Sequence, residues 1–130
     1  MKGRILLVTT IDEAYHQLLL QNQGYEVDKA ARVEAITKLE RDGYQLVLIT
    51  PEGTVEKSLA FCNEVKKSGP QARIVLIARR AEYIPPNDWV DALTREQSTP
   101  QQFLSIIRKT IETEVEKGRA AAVPYDVEDE

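Results

Sequence analysis

The sequence predicts a doubly wound α/β fold, in which helices cover both faces of one five-stranded parallel sheet. Five short apolar runs alternate with segments whose apolar residues recur at helical spacing, and this alternation is typical of parallel sheets with right-handed crossovers. The first, third and fourth runs are continuously apolar, as in strands that are buried on both faces. A length of 130 residues suits one domain with a single core.

The predicted strands are short and lie in order between the helical segments. They comprise residues 5–8, 26–28, 46–50, 74–78 and 90–93. For a chain of this length we expect the flavodoxin-like strand order 2-1-3-4-5. In open sheets of this kind, ligands and reacting groups gather beyond the carboxyl ends of the strands. Functional residues are therefore expected first at those ends.

The first two helices are predicted from end signals and from apolar spacing. Thr10 and Glu13 form a capping box at the start of the first helix, and Gly24 suits a left-handed cap at its end. The second helix is expected to stop at Gly43. The residues expected to face the core are Ala14, Tyr15, Leu18 and Leu19 in the first helix and Val33, Ile36 and Leu39 in the second.

The third and last helices carry similar signals. The third is predicted over residues 55–67 and is ended by Gly69. In the last helix, Thr99 is the cap, Pro100 takes the first helical position and Gln102 completes a capping box. The residues expected to face the core are Val55, Leu59, Cys62 and Val65 in the third helix and Phe103, Leu104, Ile106, Ile107, Ile111 and Val115 in the last.

The connection between the fourth and fifth strands, RRAEYIPPNDW, departs from this alternation. Pro85 and Pro86 remove two backbone donors, and Pro85 also disfavours helical geometry at Ile84. We therefore expect the helix at this place in the fold to be shortened or lost.

Charge and hydropathy exclude several classes of partner. The net charge is −4, and seven acidic residues stand against two basic ones from residue 112 onward, so the rest of the chain is nearly neutral. Nucleic acid is not expected as a partner, because phosphate contacts need clustered Lys and Arg. No apolar run approaches the ~20 residues that cross a bilayer, so no membrane partner is expected and the chain is predicted to be cytoplasmic. We divide it into a folded domain, residues 1–118, and an acidic tail, residues 119–130.

The common signals of cofactor binding and catalysis are missing from the sequence. The turn after the first strand, residues 8–12, has no glycine that would let backbone amides approach a phosphate, so no flavin or dinucleotide cofactor is expected. Cys62 is the only cysteine and falls on an apolar stripe, which predicts a core residue and no cysteine-based metal site. His16 is expected to be a partly exposed helix residue. The chain is not predicted to be an enzyme.

Five segments follow one another as they do in a known family. ILLVTTIDEA, GYEVDKAARVEAI, YQLVLITP, PQARIVLIARR and DALTR, with the amphipathic helix after them, resemble the successive signatures of bacterial response-regulator receiver domains. The resemblance covers about residues 2–111 and implies the CheY-like form of the fold. It also implies the family's chemistry, in which a histidine kinase transfers a phosphoryl group to an aspartate beside Mg²⁺ held by carboxylates.

This sequence departs from the family at the positions that carry that chemistry. By the resemblance, the acidic pair after the first strand corresponds to Thr9 and Thr10, and the phosphoacceptor aspartate corresponds to Thr50. The hydroxyl residue of the fourth strand corresponds to Ile77, and the lysine of the fifth corresponds to Arg95. A hydroxyl needs a base to become an acceptor, and Mg²⁺ prefers anionic oxygen ligands. The resemblance therefore implies a degenerate pseudo-receiver with no metal site and no phosphotransfer.

The leading hypothesis is a protein–protein interaction module in bacterial two-component signal transduction. Tyr83, Ile84 and Trp89 of the remodelled connection are the predicted partner surface, because aromatic residues are enriched at interface hot spots. In the alternative reading, Ile84 and Trp89 fold inward and cover the core that the missing helix leaves open. A homodimer through the face around the last helix is a further prediction.

A small-ligand sensor is the alternative hypothesis. Thr9, Thr10 and Thr50 would form a pocket at the strand ends, and Arg79 and Arg95 would make it suitable for an anion. A ligand that bears a phosphate or carboxylate group fits this combination, because guanidinium groups bind such anions in a bidentate manner.

Overall fold

The computed structural model describes residues 3–10 and 14–112 of the chain. Glu13, Val115 and the acidic tail lie outside the described residues, so the predictions made for them stay predictions. The described strands are β1 (Gly3–Val8), β2 (Tyr25–Ala30), β3 (Leu46–Ile49), β4 (Arg73–Ala78) and β5 (Ala92–Arg95). The described helices are α1 (Tyr15–Asn22), α2 (Arg32–Arg41), α3 (Val55–Ser68) and α4 (Pro100–Glu112).

The predicted topology is confirmed. All four strand pairings are parallel, and the five strands lie in the order β2-β1-β3-β4-β5. Helices α2 and α3 pack on one face of the sheet, and α1 and α4 pack on the other. Residues 46–49 of β3 are fully buried, because the central strand of a doubly wound sheet has a helix layer on both sides.

The two helices with the clearest end signals form as predicted. Thr54 caps α3 by accepting a hydrogen bond from the backbone amide of Lys57 at 3.2 Å. In α4, the Thr99 amide donates to Gln102 Oε1 at 2.9 Å, and the Gln102 amide donates to Thr99 Oγ1 at 3.1 Å. The capping box therefore satisfies two amides that the helix leaves open.

The predicted buried face of α1 is wrong in part: Leu19 packs against the core as predicted, whereas Ala14, Tyr15 and Leu18 are exposed. The helix begins at Tyr15 rather than at Thr10, and the side chains of Tyr15 and Leu18 are 49% and 55% exposed. Leu20 is the buried residue of this helix, and the His16 ring lies 4.8 Å from the ring of Phe103 on α4. Residues 16 and 20 are one helical turn apart, so packing against α4 selects this face rather than the neighbouring one.

Smaller corrections concern α2 and β5. Leu39 is buried and Ile36 packs against the core as predicted, whereas Val33 is 85% exposed and Ala35 takes its place in the core. The fifth strand begins at Ala92, two residues later than predicted. The amides of Trp89 and Val90 donate to Asn87 Oδ1 at 2.8 and 2.9 Å, so this stretch forms a side-chain-capped turn before the strand starts.

The expected loss of the helix between β4 and β5 is confirmed. Residues 79–91, which we call the β4–β5 segment, contain turns and bends but no helix. Ile84 and Val90 are buried in the α2–α3 layer, and Trp89 packs against it while partly exposed. These apolar side chains cover the part of the sheet that a helix between β4 and β5 would otherwise cover.

Candidate functional site

The carboxyl ends of the central strands surround a cavity of about 290 Å³. Thr9 and Thr10 follow β1, and Thr50 follows β3, so the parallel sheet brings these three residues to one edge. The cavity is lined by Thr9, Thr10, His16, Thr50, Pro51, Ile77 and Glu96. Four of the five positions at which the chain departs from the receiver pattern therefore lie together, and Arg95 is the exception.

The hydroxyl of Thr50 is occupied by the neighbouring strand. Thr50 Oγ1 donates a hydrogen bond to the carbonyl oxygen of Val8 at 3.0 Å, and the Thr50 amide also donates to this oxygen at 3.1 Å. A hydroxyl becomes a nucleophile when a base accepts its proton, and a backbone carbonyl is not such a base. The arrangement holds β1 and β3 together and gives Thr50 no activation.

Of the residues predicted for the anion pocket, Thr9, Thr10 and Thr50 line the cavity and the two arginines do not, so the anion pocket stays a prediction. Arg79 Nη1 donates to the carbonyl oxygen of Gly53 at 3.0 Å and lies 3.4 Å from Glu82 Oε2. Arg95 Nη1 donates to the carbonyl oxygens of Glu82 and Arg79 at 2.6 and 3.2 Å. The carboxyl group that does line the cavity belongs to Glu96, whose side chain is exposed.

Arg32, at the start of α2, also contacts the loop after β3. Its Nη2 donates to Ser58 Oγ at 2.9 Å and to the Thr50 carbonyl at 3.4 Å, and its Nε lies 3.1 Å from Glu52 Oε1. The guanidinium stacks over the Phe61 ring at 5.1 Å. The sequence carries no signal for this role of Arg32, because an arginine at the start of a helix is ordinarily solvent-exposed and its four contacts come from distant segments.

The residues described at this edge do not fit Mg²⁺. The ion prefers several anionic oxygen ligands, and Glu96 is the only carboxylate among the described cavity residues. Within residues 3–10 and 14–112, no group of three or more His, Cys, Asp or Glu side chains is placed to hold a metal ion. We therefore derive no step that uses a metal.

The three residues of the predicted partner surface differ in their exposure. Tyr83 is 74% exposed, Trp89 is half-buried against the core, and Ile84 is only 7% exposed. Ile84 therefore contributes to the core, as in the alternative reading, and offers no contact area to a partner. Tyr83 is the residue of the three that faces solvent.

The outer face of α4 is polar. Its exposed residues are Pro100, Gln101, Gln102, Arg108, Lys109 and Glu112, of which five are polar, whereas its buried apolar side chains are Phe103, Ile106 and Ile107. Obligate homodimer interfaces are more apolar than the average surface. The described part of this helix thus offers little apolar area, from Pro100, Leu104 and Ile111, to the predicted homodimer, which stays a prediction.

Cys62 is a core residue, as expected. Its side chain is fully buried, and burial raises the pKa of the thiol to about 12. The thiolate is the reactive form of cysteine, so Cys62 is inert at neutral pH. Within the described residues, no helix is long and apolar enough to span a membrane.

Comparison with solved structures finds close matches in fold. A CheY-like response regulator receiver domain from Methanospirillum hungatei JF-1 superposes with a TM-score of 0.69 at 19% identity, over 88% of this chain and 98% of that one. The fold is that of a receiver domain. The N-terminal domain of a response regulator/sensory box/GGDEF protein from Carboxydothermus hydrogenoformans gives a TM-score of 0.72 at 16% identity, over 89% and 99% of the two chains.

A third match comes from a signalling complex. A chain in the complex of the histidine kinase ThkA with the response regulator TrrA shares 25% identity, with a TM-score of 0.64 over 82% of this chain and 97% of that one. No protein-family model matches the sequence. No curated protein matches it either.

Proposed function

We propose that the chain is a pseudo-receiver, a receiver-like domain that acts in signal transduction by binding a protein partner and does not accept a phosphoryl group. Thr50 carries this proposal, because it lies directly after β3, where the resemblance places the acceptor aspartate. Its hydroxyl donates to the Val8 carbonyl rather than to a base. The adjoining positions, Thr9 and Ile77, are 6% and 1% exposed and supply no carboxylate.

Incubation with acetyl phosphate and Mg²⁺ tests the proposal. A receiver with an acceptor carboxylate forms an acid-labile acyl phosphate, whereas this chain should show an unchanged intact mass. A stoichiometric adduct that is lost on acid treatment would overturn the proposal. A receiver domain that retains its aspartate, treated in the same tube, is the positive control.

Thr50→Asp separates the loss of the acceptor from the loss of the acidic pair. The variant should fold, at a cost of about 1 kcal/mol for the hydrogen bond to Val8, and it should remain unphosphorylated because Thr9 and Thr10 offer no carboxylate. If this single change restored Mg²⁺-dependent phosphorylation, Asp12 or Glu13, which lie outside the described residues, would have to supply the metal ligands.

Tyr83 supports the partner-binding half of the proposal. It is an aromatic side chain that is 74% exposed, and both of its neighbours are anchored: Ile84 in the core and Glu82 by hydrogen bonds. A preorganised aromatic side chain loses little conformational entropy on binding. The histidine kinase–response regulator complex shows that a protein of this fold assembles with a protein partner.

A small-ligand sensor is the second candidate, and the strand-end cavity is the observation that favours it. Its hydroxyl, imidazole and carboxyl lining suits a ligand with amine or hydroxyl groups better than it suits an anion. Thermal-shift titration with an amino sugar and with inorganic phosphate distinguishes these two classes of ligand. A ligand at 100 times its dissociation constant stabilises the folded protein by about 2.7 kcal/mol. A rise in melting temperature with the amino sugar alone supports a cavity that binds amine or hydroxyl groups. A rise with phosphate alone supports the predicted anion site.

A further inference from the structure

Arginine side chains form hydrogen bonds between the β4–β5 segment and two neighbouring parts of the chain, the loop after β3 and the end of β5. Arg95, at the end of β5, donates to the carbonyl oxygens of Glu82 and Arg79 at 2.6 and 3.2 Å. Arg79 in turn donates to the carbonyl oxygen of Gly53, in the loop after β3, at 3.0 Å. The two side chains thus connect the loop after β3, the loop after β4 and the end of β5, and we call this pair the arginine bracket.

Glu82 is the common anchor of the bracket. Its carboxylate accepts from the Arg79 amide at 3.0 Å and from Arg79 Nη1 at 3.4 Å, while its own carbonyl accepts from Arg95. Its amide donates to the Arg79 carbonyl at 3.1 Å. Ala81, inside this turn, has a φ of 67°, a left-handed conformation that a non-glycine residue adopts at a cost and keeps only where its surroundings hold it.

The other end of the segment is fixed by different contacts. The Asn87 side chain accepts from the amides of Trp89 and Val90 and donates to the carbonyl of Pro85 at 3.0 Å. Ile84 and Trp89 pack on the core. Tyr83 therefore lies between a hydrogen-bonded turn on one side and a buried residue on the other, and its ring is the large apolar side chain of the segment that is mostly exposed.

We propose that the arginine bracket holds the β4–β5 segment in one conformation in the free protein, so that the surface around Tyr83 is permanently formed and needs no ligand or modification to appear. The bracket itself does not depend on the proposed function. The interpretation of Tyr83 as a partner contact does rest on the proposed function. A partner of this surface would bind an already ordered aromatic residue, whichever signalling state the cell is in.

The chemistry of the bracket suits a permanent device. A guanidinium stays protonated across the physiological pH range, and its hydrogen bonds to carbonyl oxygens are charge-assisted. Main-chain carbonyls cannot be neutralised or removed by a change in pH, unlike carboxylate partners. The hydrogen bonds of Arg95 to the carbonyls of Arg79 and Glu82, and that of Arg79 to the carbonyl of Gly53, therefore do not depend on pH where the fold itself is stable. The contacts of Arg79 with the Glu82 carboxylate are not of this kind.

Hydrogen exchange on the full chain tests the proposal. The amide of Glu82 is bonded inside the bracket, and the amides of Trp89 and Val90 are bonded outside it. Arg95→Ala and Arg79→Ala should each accelerate exchange at Glu82 about tenfold or more and leave exchange in β1 and β3 unchanged, because local opening becomes easier without global unfolding. Acrylamide quenching of Trp89, the only tryptophan, should change little, because contacts outside the bracket hold that end of the segment.

Arg80→Ala is the matched control, because Arg80 is adjacent and exposed and makes no side-chain hydrogen bond or ion pair within the described residues. It should change exchange at Glu82 and quenching of Trp89 less than twofold. The proposal is overturned if neither bracket variant exceeds this control in exchange at Glu82, or if Glu82 in the native chain exchanges as fast as an unstructured peptide. Both results are obtained without phosphorylation or a partner, so they leave the pseudo-receiver proposal to its own test.

Discussion

Arginine side chains form hydrogen bonds at both ends of the sheet, but they bind different groups at each end. At the amino end, Arg4 Nη2 lies 2.9 Å from Asp28 Oδ2, and the Tyr44 hydroxyl donates to the same oxygen at 2.7 Å. At the carboxyl end, Arg79 and Arg95 donate mainly to backbone carbonyls of loops. A side-chain cluster between strands stabilises the sheet, whereas contacts to loop carbonyls fix the shape of a surface.

The amino-end cluster is also electrostatically defined. The hydrogen bond from Tyr44, followed by that from Arg4, lowers the pKa of Asp28. Burial, followed by the hydrogen bond to Asp28, raises the pKa of Tyr44 to about 12. The carboxylate and the phenol thus keep their charge states at neutral pH, and this end of the molecule contributes stability without any change of state.

The largest expected effect removes the packing of the β4–β5 segment on the core. Trp89→Ala should lower the free energy of unfolding by about 3 kcal/mol, at the lower end of the range for buried tryptophans because the side chain is only half-buried. Chemical denaturation monitored by circular dichroism measures this loss. A loss under about 0.5 kcal/mol, the range typical of surface substitutions, would show that Trp89 does not replace the missing helix.

An intermediate effect is expected at the amino end. Asp28→Asn should cost about 1–2 kcal/mol, since the lost hydrogen bonds are charge-assisted but the side chain is 31% exposed. Hydrogen exchange at Glu82 should not change, because the two ends do not share contacts. Faster exchange in the β4–β5 segment of this variant would mean that the two ends are coupled.

The difference in unfolding free energy between the wild type and Asp28→Asn depends on pH with a defined sign. Because the pKa of Asp28 is lower in the folded chain, its contribution to stability is present above the unfolded-state pKa of about 3.9. It is lost as the pH falls through the folded-state pKa. The wild type and Asp28→Asn should therefore differ at pH 7 and converge below pH 4, and a constant difference across this range would exclude the carboxylate as its source.

The smallest effect on stability is expected at Tyr83. Tyr83→Ala should change the free energy of unfolding by less than about 0.5 kcal/mol, because the side chain is mostly in solvent. It should nevertheless reduce the binding free energy of a partner that uses this surface by about 2 kcal/mol, which is the range of an interface hot spot. Calorimetry measures both quantities, and Tyr15→Ala, an exposed tyrosine on α1, is the matched control. Equal losses of affinity in the two variants would place the interface elsewhere.

The strand order and the lost helix were predictable, because alternation of apolar segments and the adjacent Pro85 and Pro86 are local signals with direct structural causes. The buried face of α1 was predictable only in part, since Leu19 packs against the core but Tyr15 and Leu18 do not. Ala14, Tyr15, Leu18 and Leu19 have helical spacing, but periodicity does not decide between this face and the one that contains Leu20.

The positions of the arginines were not predictable either. The resemblance places Arg95 at the strand-end site, and anion chemistry would direct its side chain into that site. The loss of a helix instead brings the carbonyls of Arg79 and Glu82 within its reach, and this rearrangement depends on the path of the whole β4–β5 segment. Such contacts are a property of tertiary structure and leave no local pattern in the sequence.

A two-dimensional amide NMR spectrum of the full chain, recorded before and after addition of acetyl phosphate and Mg²⁺, tests most directly whether the carboxyl end has a single state. We expect the two spectra to superimpose at both ends of the sheet, because Thr50 accepts no phosphoryl group and the arginine bracket is already closed. The opposite result would be stoichiometric shifts of the resonances of residues 79–96 and of Thr50, while those of Arg4, Asp28 and Tyr44 stay in place. That result would show a phosphorylation switch at this edge of the sheet and contradict the pseudo-receiver proposal.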